Sequence, residues 1–450
     1  MRELHQFYQK RSTKMEKIIE KNTRRDALQA EDHKLNKSQR NALIAAIVAS
    51  GTDDLNVMFL SFSMSSIISQ LGISSVAAGW IATITNLGML AGGLLFGVLA
   101  DRWDKMKVFY LTILTFSIAT ALIFFTPNIQ YLYLLRFIAG IGVGGEYGVA
   151  ISIMAGLVPA KQLGRISSLN GIVGQIGSIS SALLAGFIVP TLGWRGLFLF
   201  GILPILVVVW AKLTINEDEL GINTDEVTED LVDVDDKEKP AIRDLFKTPG
   251  QTYQTLILMV MTTVQIAGYF GMMNWLPTIM QEQVGVTVSG SSTWMVTTIL
   301  GMCLGMLTFG QILDRLGPRL SYGMYLIASA VSVYLFTFAN SAMTILIGGA
   351  VVGFFVNGMF AGYGAMISRL YPFKVNAIAN NTILNVGRAV GGFSSVIIGF
   401  ILDASGVGMV MLFLASLYLV SFIAMMSLPQ LKQANYEQHQ LNIRHKALDK

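Results

Sequence analysis

Between residues 41 and 429 the chain returns again and again to apolar stretches about as long as a lipid bilayer is thick. A hydrocarbon core of about 30 Å takes roughly 20 apolar residues per helical crossing. Water cannot satisfy backbone groups at that depth, so each stretch must be a helix that satisfies its own. The segments predict twelve helices, near residues 41–70, 76–100, 107–127, 130–158, 166–190, 194–214, 252–281, 291–313, 320–339, 343–370, 376–402 and 408–428. Composition points the same way. Of 450 residues, 53% are hydrophobic and 13% charged, with a mean hydropathy of +0.57, a balance that cannot cover a water-exposed surface.

Twelve crossings put both termini on one side. Lys and Arg collect in cytoplasmic loops, and here Arg102, Lys105, Lys107, Lys161, Arg165, Lys212, Arg243, Lys247, Arg315, Arg319, Arg369 and Lys374 fall at alternate connections. The opposite connections carry almost only Arg195. Both termini are therefore expected in the cytoplasm, with the chain multi-pass in the cell membrane. The first apolar run follows some forty polar residues, too late and too long for a cleaved signal peptide. Cys303 is the single cysteine, which rules out an intrachain disulfide. Residues 1–40 form a polar tail whose basic run is read either as an interfacial helix on anionic lipid or as a solvated tail. Residues 215–250 form an acidic linker, expected to be hydrated, and residues 430–450 a second tail.

One offset brings the chain onto itself. At 213 residues, Gly97 and Asp101-Arg102 return as Gly310 and Asp314-Arg315, and Gly140 and Gly145 return as Gly353 and Gly358. Leu157 and Pro159 return as Leu370 and Pro372, and Gly186-Phe187-Ile188 as Gly399-Phe400-Ile401. Chance similarity between apolar helices scatters; a single register across four helices indicates duplication. The expected fold is an all-α integral membrane protein of two pseudo-symmetric six-helix bundles, residues 41–214 and 251–429. In duplicated transporters, substrate sits between the repeats.

Several motifs carry a resemblance to the major facilitator superfamily. Gly97-Val-Leu-Ala-Asp101-Arg102-Trp-Asp-Lys105 resembles the signature loop between that superfamily's second and third helices, with Asp104 in place of the usual glycine. A shortened copy runs from Gly310 through Asp314-Arg315 to Arg319. Arg136 to Glu146, with Gly140, Gly142, Gly144 and Gly145 between, resembles a second signature whose glycines let helices approach closely. Gly193-Trp194-Arg195 and Gly201-Ile-Leu-Pro204 are similar to the sixth helix of sialate:proton symporters. The stretch from Gly268-Tyr269 to Pro277-Thr278 is similar to the seventh helix of aromatic-acid and nicotinate transporters. The resemblance implies a twelve-helix transporter that works as a monomer by alternating access.

Charges inside a span cost roughly 2.5–3.5 kcal/mol each and so mark candidate sites. They are Asp53 and Asp54 on the first helix, Arg136 and Glu146 on the fourth and Arg388 on the eleventh. All four histidines lie in the tails, leaving carboxylates as proton carriers. Asp53 stands where the resemblance puts the second acid of an Asp-Gly-Phe-Asp pattern, here Ser50-Gly51-Thr52-Asp53. A carboxylate's hold on a proton depends on nearby guanidinium groups, so moving Arg136 relative to Asp53 would load and release one; a static ion pair is the plainer reading. Glu146 is read as a second proton site or a gating partner for arginines.

Arg388 is the expected anion ligand, because guanidinium matches a carboxylate with two parallel donors. Asn381 and Asn385 share its helix face, and Gln175 aligns with it under the repeat. On the seventh helix, Gln265 and Tyr269 form a polar stripe with Trp275 further along. These groups either line a cavity or bond neighbouring helices. Asp101, Arg102, Asp314 and Arg315 are assigned to gating, and Arg195 and Asp403 to solvated helix ends. The function expected is proton-coupled uptake of a small organic acid anion, a monocarboxylate of aromatic or nicotinate-like type. The alternative is a proton antiporter exporting amphipathic compounds, suggested by Met272, Met273, Met302, Met306 and Met359. The expected partners are the substrate anion, protons and the bilayer, with no nucleic acid, metal or cofactor. No nucleophile–base arrangement or phosphate loop argues for an enzyme.

Overall fold

Helix ends are set by side chains that take up the first free amides of the next helix. In this computed structural model, which describes residues 35–158, 160–220 and 242–432, Asn36 caps α1 (Lys37–Leu71) and Ser74 caps α2 (Ser75–Arg102). Asp104 caps α3 (Lys105–Leu122) and Asn128 caps α4 (Ile129–Leu157). Then follow α5 (Ala160–Leu199) and α6 (Pro204–Thr214). Beyond the linker, Thr248 caps α7 (Pro249–Val284), Thr287 caps α8 (Val288–Phe336) and Ser341 caps α9 (Ala342–Gly358). The chain closes with α10 (Phe360–Leu370), α11 (Phe373–Gly391) and α12 (Ser394–Met426). The tails and the middle of the acidic linker lie outside the described residues, as does the Asp101 side chain.

Among the described residues nine helical stretches are long and apolar enough to cross a membrane. Three of them, Leu169–Thr214, Val288–Phe336 and Ile378–Met426, run to 46 or 49 residues. A helix of that size is about 70 Å long, more than twice the hydrocarbon thickness. Each holds one residue in the left-handed region that favours glycine: Gly193 (φ 71°), Gly317 (φ 75°) and Gly406 (φ 75°). Two crossings apiece would bring the total to twelve, with the breaks inside the gaps 190–194, 313–320 and 402–408 that hydropathy leaves.

Two expected helices are split. The stretch 343–370 breaks at Met359, and 376–402 breaks at Gly392-Phe393 after the Gly391-Gly392 pair. Such breaks free backbone carbonyls that need partners in a membrane. At the first, Gln265 Nε2 donates to the Val356 carbonyl at 2.7 Å, and the Tyr322 hydroxyl reaches the Met359 carbonyl at 3.5 Å.

The 213-residue register holds at the level of single contacts. Gly88 lies against the Phe137 carbonyl as Gly301 lies against Ala350; Gly92 meets Ile141 as Gly305 meets Phe354; Gly140 meets Thr85 as Gly353 meets Thr298. Each pair is the other moved by one offset. The left-handed glycines obey it too, Gly72 with Gly285 and Gly193 with Gly406.

The halves meet mainly near one end. We call distal the end where α1 and α7 finish and α2 begins, and proximal the opposite end. Ser61 Oγ donates to Asn274 Oδ1 at 3.2 Å and Ser65 Oγ to Gln281 Oε1 at 2.8 Å. Ser61 and Asn274 are themselves 213 residues apart, so this bond straddles the pseudo-twofold axis. Asp403 was expected to be a solvated helix end. Instead its carboxylate accepts from the Ser75 and Val76 amides at 3.3 Å each, capping α2 from the other half. Thr83 Oγ1 donates to the Gly392 carbonyl at 3.0 Å. Between described residues no hydrogen bond joins the halves at the proximal end. Arg195, also expected to be solvated, binds the Thr126 carbonyl through Nε and Nη2 and Gln70 Oε1 through Nη1, with its guanidinium 4.5 Å from the Trp194 ring centre. Surrounded by α1, the end of α3 and α5, it staples the distal end of the first half.

Candidate functional site

The α1 and α4 helices cross where their intramembrane acids lie. Asp53 is 7% exposed and Glu146 fully buried, and the two carboxyls lie close together. Neither Glu146 oxygen nor Asp53 Oδ1 has a hydrogen-bond partner among the described residues. Two carboxylates only accept, so a hydrogen bond within this close pair requires a proton on one of them.

Arg136 takes no part in it. Its side chain is buried, its Nε donates to Thr85 Oγ1 at 3.1 Å, and no ion pair links it to Asp53. The expected Asp53–Arg136 contact is thus absent, with Glu146 in the place given to Arg136.

In the second half, α11 holds Arg388 between the two bundles. The guanidinium lies 5.8 Å from the centre of the Tyr147 ring on α4, one residue beyond Glu146. Tyr147 faces the opposite half yet is 49% exposed, which no lipid-facing position explains. The space beside it, between the halves, is therefore open to solvent and is termed the vestibule. Asn381 is exposed and Asn385 half-buried on the same α11 face. Tyr147 carries no charge and breaks no apolar pattern, so nothing in the sequence singled it out.

Other expected ligands divide. Gln175 Oε1 and Gln265 Oε1 are buried without partners, while Gln265 Nε2 is engaged with Val356. Trp275 is fully buried and its Nε1 donates to the Ser395 carbonyl at 3.2 Å, a packing role. Tyr269 is half-buried on α7. Met272, Met273, Met302 and Met359 belong to the apolar core with Met306 packed on it, so they do not line a vestibule.

At the proximal end Arg102 and Arg315 are exposed. Asp314 pairs with Arg369 at 3.5 Å, joining α8 to α10 within one half.

Comparison with known proteins agrees with this architecture. The family model of the Major Facilitator Superfamily matches residues 46–307 and 258–442. The chain belongs to the major facilitator superfamily, and it is a multi-pass membrane transport protein, not an enzyme. A Haemophilus influenzae protein named for metabolite transport is 33% identical over 401 residues, spanning 89% of this chain and 98% of its own. The cis,cis-muconate transport protein of Acinetobacter baylyi is 28% identical, over 84% of this chain and 91% of its own. Among solved structures, a D-xylose-proton symporter superposes with a TM-score of 0.74 at 14% identity, covering 88% of this chain and 99% of that one.

Proposed function

We propose that the chain is a proton-coupled symporter taking up a small organic acid anion by alternating access. The observation that carries this reading is the division of charge across the interface: a carboxyl pair, Asp53 and Glu146, in the first half and an uncompensated guanidinium, Arg388, in the second. Relatives named for muconate, niacin and sialic acid transport support an organic acid as cargo. Basic residues gather at the proximal end, which makes that end cytoplasmic and the described state sealed to the outside and open inward. Proton-loaded Asp53–Glu146 neutralises the first half while Arg388, with Asn381, Asn385 and Gln175 nearby, takes the carboxylate. Asp101, Arg102, Asp314 and Arg315 form the proximal gate.

The test is ligand-induced stabilisation of the purified protein, because a ligand that binds only the folded state raises its stability by mass action. A panel of cis,cis-muconate, nicotinate, benzoate and sialate should contain at least one compound that raises the melting temperature. Arg388→Gln should abolish that shift without lowering the ligand-free melting temperature by a comparable amount. A shift that survives in Arg388→Gln contradicts the assignment.

A further inference from the structure

Asp54 is the intramembrane charge for which the carboxyl pair has no use. It shares one stripe of α1 with Ser61 and Ser65, at i+7 and i+11, and those two serines hydrogen bond Asn274 and Gln281 of α7. Asp54 therefore faces the second half, two turns nearer the vestibule. Its carboxylate occupies the space that a side chain on Gly174 of α5 would fill. Asp54 makes no hydrogen bond or ion pair with a described residue, and among the described residues Arg388 has no hydrogen bond or ion pair from its side chain, only the Tyr147 ring beside it.

The interface thus holds one anion and one cation that do not neutralise each other. Left unpaired at membrane depth, each is costly. A plain monoanion compensates Arg388 and leaves Asp54 opposing it. A ligand with charges of both signs compensates both, and the Tyr147 and Tyr269 rings suit a flat or quaternary cation.

We propose that the site is built for a zwitterion, with a carboxylate held by Arg388 and a protonated or quaternary nitrogen held by Asp54. The inference rests on the assignment of Arg388 as the carboxylate anchor. It makes Asp54 the residue that separates zwitterions from simple acids of the same shape.

Isosteric pairs differing in one charge test this on the full-length purified protein: N-methylpyridinium-3-carboxylate against 3-methylbenzoate, and glycine betaine against 3,3-dimethylbutanoate. In the wild type, one pair or both should show the zwitterion binding at least tenfold more tightly. Asp54→Asn should remove that preference while raising affinity for the isostere that lacks the cationic nitrogen, a gain that also shows the variant to be folded. Arg388→Gln should abolish binding of both members. The proposal is overturned if the isosteres bind as tightly as the zwitterions, or if Asp54→Asn leaves the ratio intact. Binding of the simple acids that depends on Arg388 would then leave the anion reading standing; no binding by any of the four would overturn both.

Discussion

Ten residues of helix separate Arg136 from Glu146, about 15 Å along α4, so Asp53 meets one of them and not both. Counted from the proximal helix ends, Asp53 lies about 24 Å deep, Glu146 about 16 Å and Arg136 about 31 Å. The two offsets are nearly equal. Helix tilt and slide decide between them, and a single sequence carries neither, which is why the acids were legible as intramembrane charges but their pairing was not. Gln265 shows the same limit. Its place on a polar stripe suggested a cavity, whereas its amide is committed to a carbonyl freed by the break at Met359. Gln265→Leu should leave that carbonyl unsatisfied and cost about 1–3 kcal/mol of stability, read as a lower melting temperature, with ligand affinity changed little once the fold is retained.

At the scale of helices, the sequence marks ends well because caps and glycines act locally. Gly193, Gly317 and Gly406 break long apolar runs where hydropathy leaves gaps, since the left-handed backbone there excludes most other residues. The splits at Met359 and Gly392 escaped because the flanking residues stay apolar on both sides. Helix approach depends on small residues. Gly140 abuts the Thr85 carbonyl with no room for a side chain, and Gly353 repeats this at Thr298. Gly140→Ile and Gly353→Ile should each destabilise by at least about 1–3 kcal/mol through overpacking, and similar losses of melting temperature are expected because the two contacts are copies. The cap that Asp403 places on α2 concerns opening instead. Asp403→Ala removes both bonds from the distal seal. Spin labels at the distal end of α2 and beside the Gly406 break in α12, in a Cys303→Ser background, should then report a larger share of distally open molecules than in the parent.

For the molecule as a whole, duplication supplies a scaffold matched contact by contact, while its charges are divided unequally. Asp53, Asp54, Arg136 and Glu146 lie in the first half and Arg388 in the second. That division was readable from sequence, since buried charge is rare and the 213-residue register assigns each to a half. Which end is sealed was not, because two conformations of one chain share one sequence. In the proposed symport, coupling is a matter of exchange between them: a proton on the Asp53–Glu146 pair and an anion on Arg388 must both be present, or both absent, for the halves to rock. The most direct test is uptake of a binding organic acid into proteoliposomes under an imposed inward proton gradient, comparing the wild type with Glu146→Gln. The account predicts accumulation against the substrate gradient that a protonophore collapses, and a Glu146→Gln variant that loses accumulation but still exchanges internal for external substrate. Wild-type accumulation indifferent to the protonophore, or a variant that still concentrates substrate when the gradient is imposed, would contradict it.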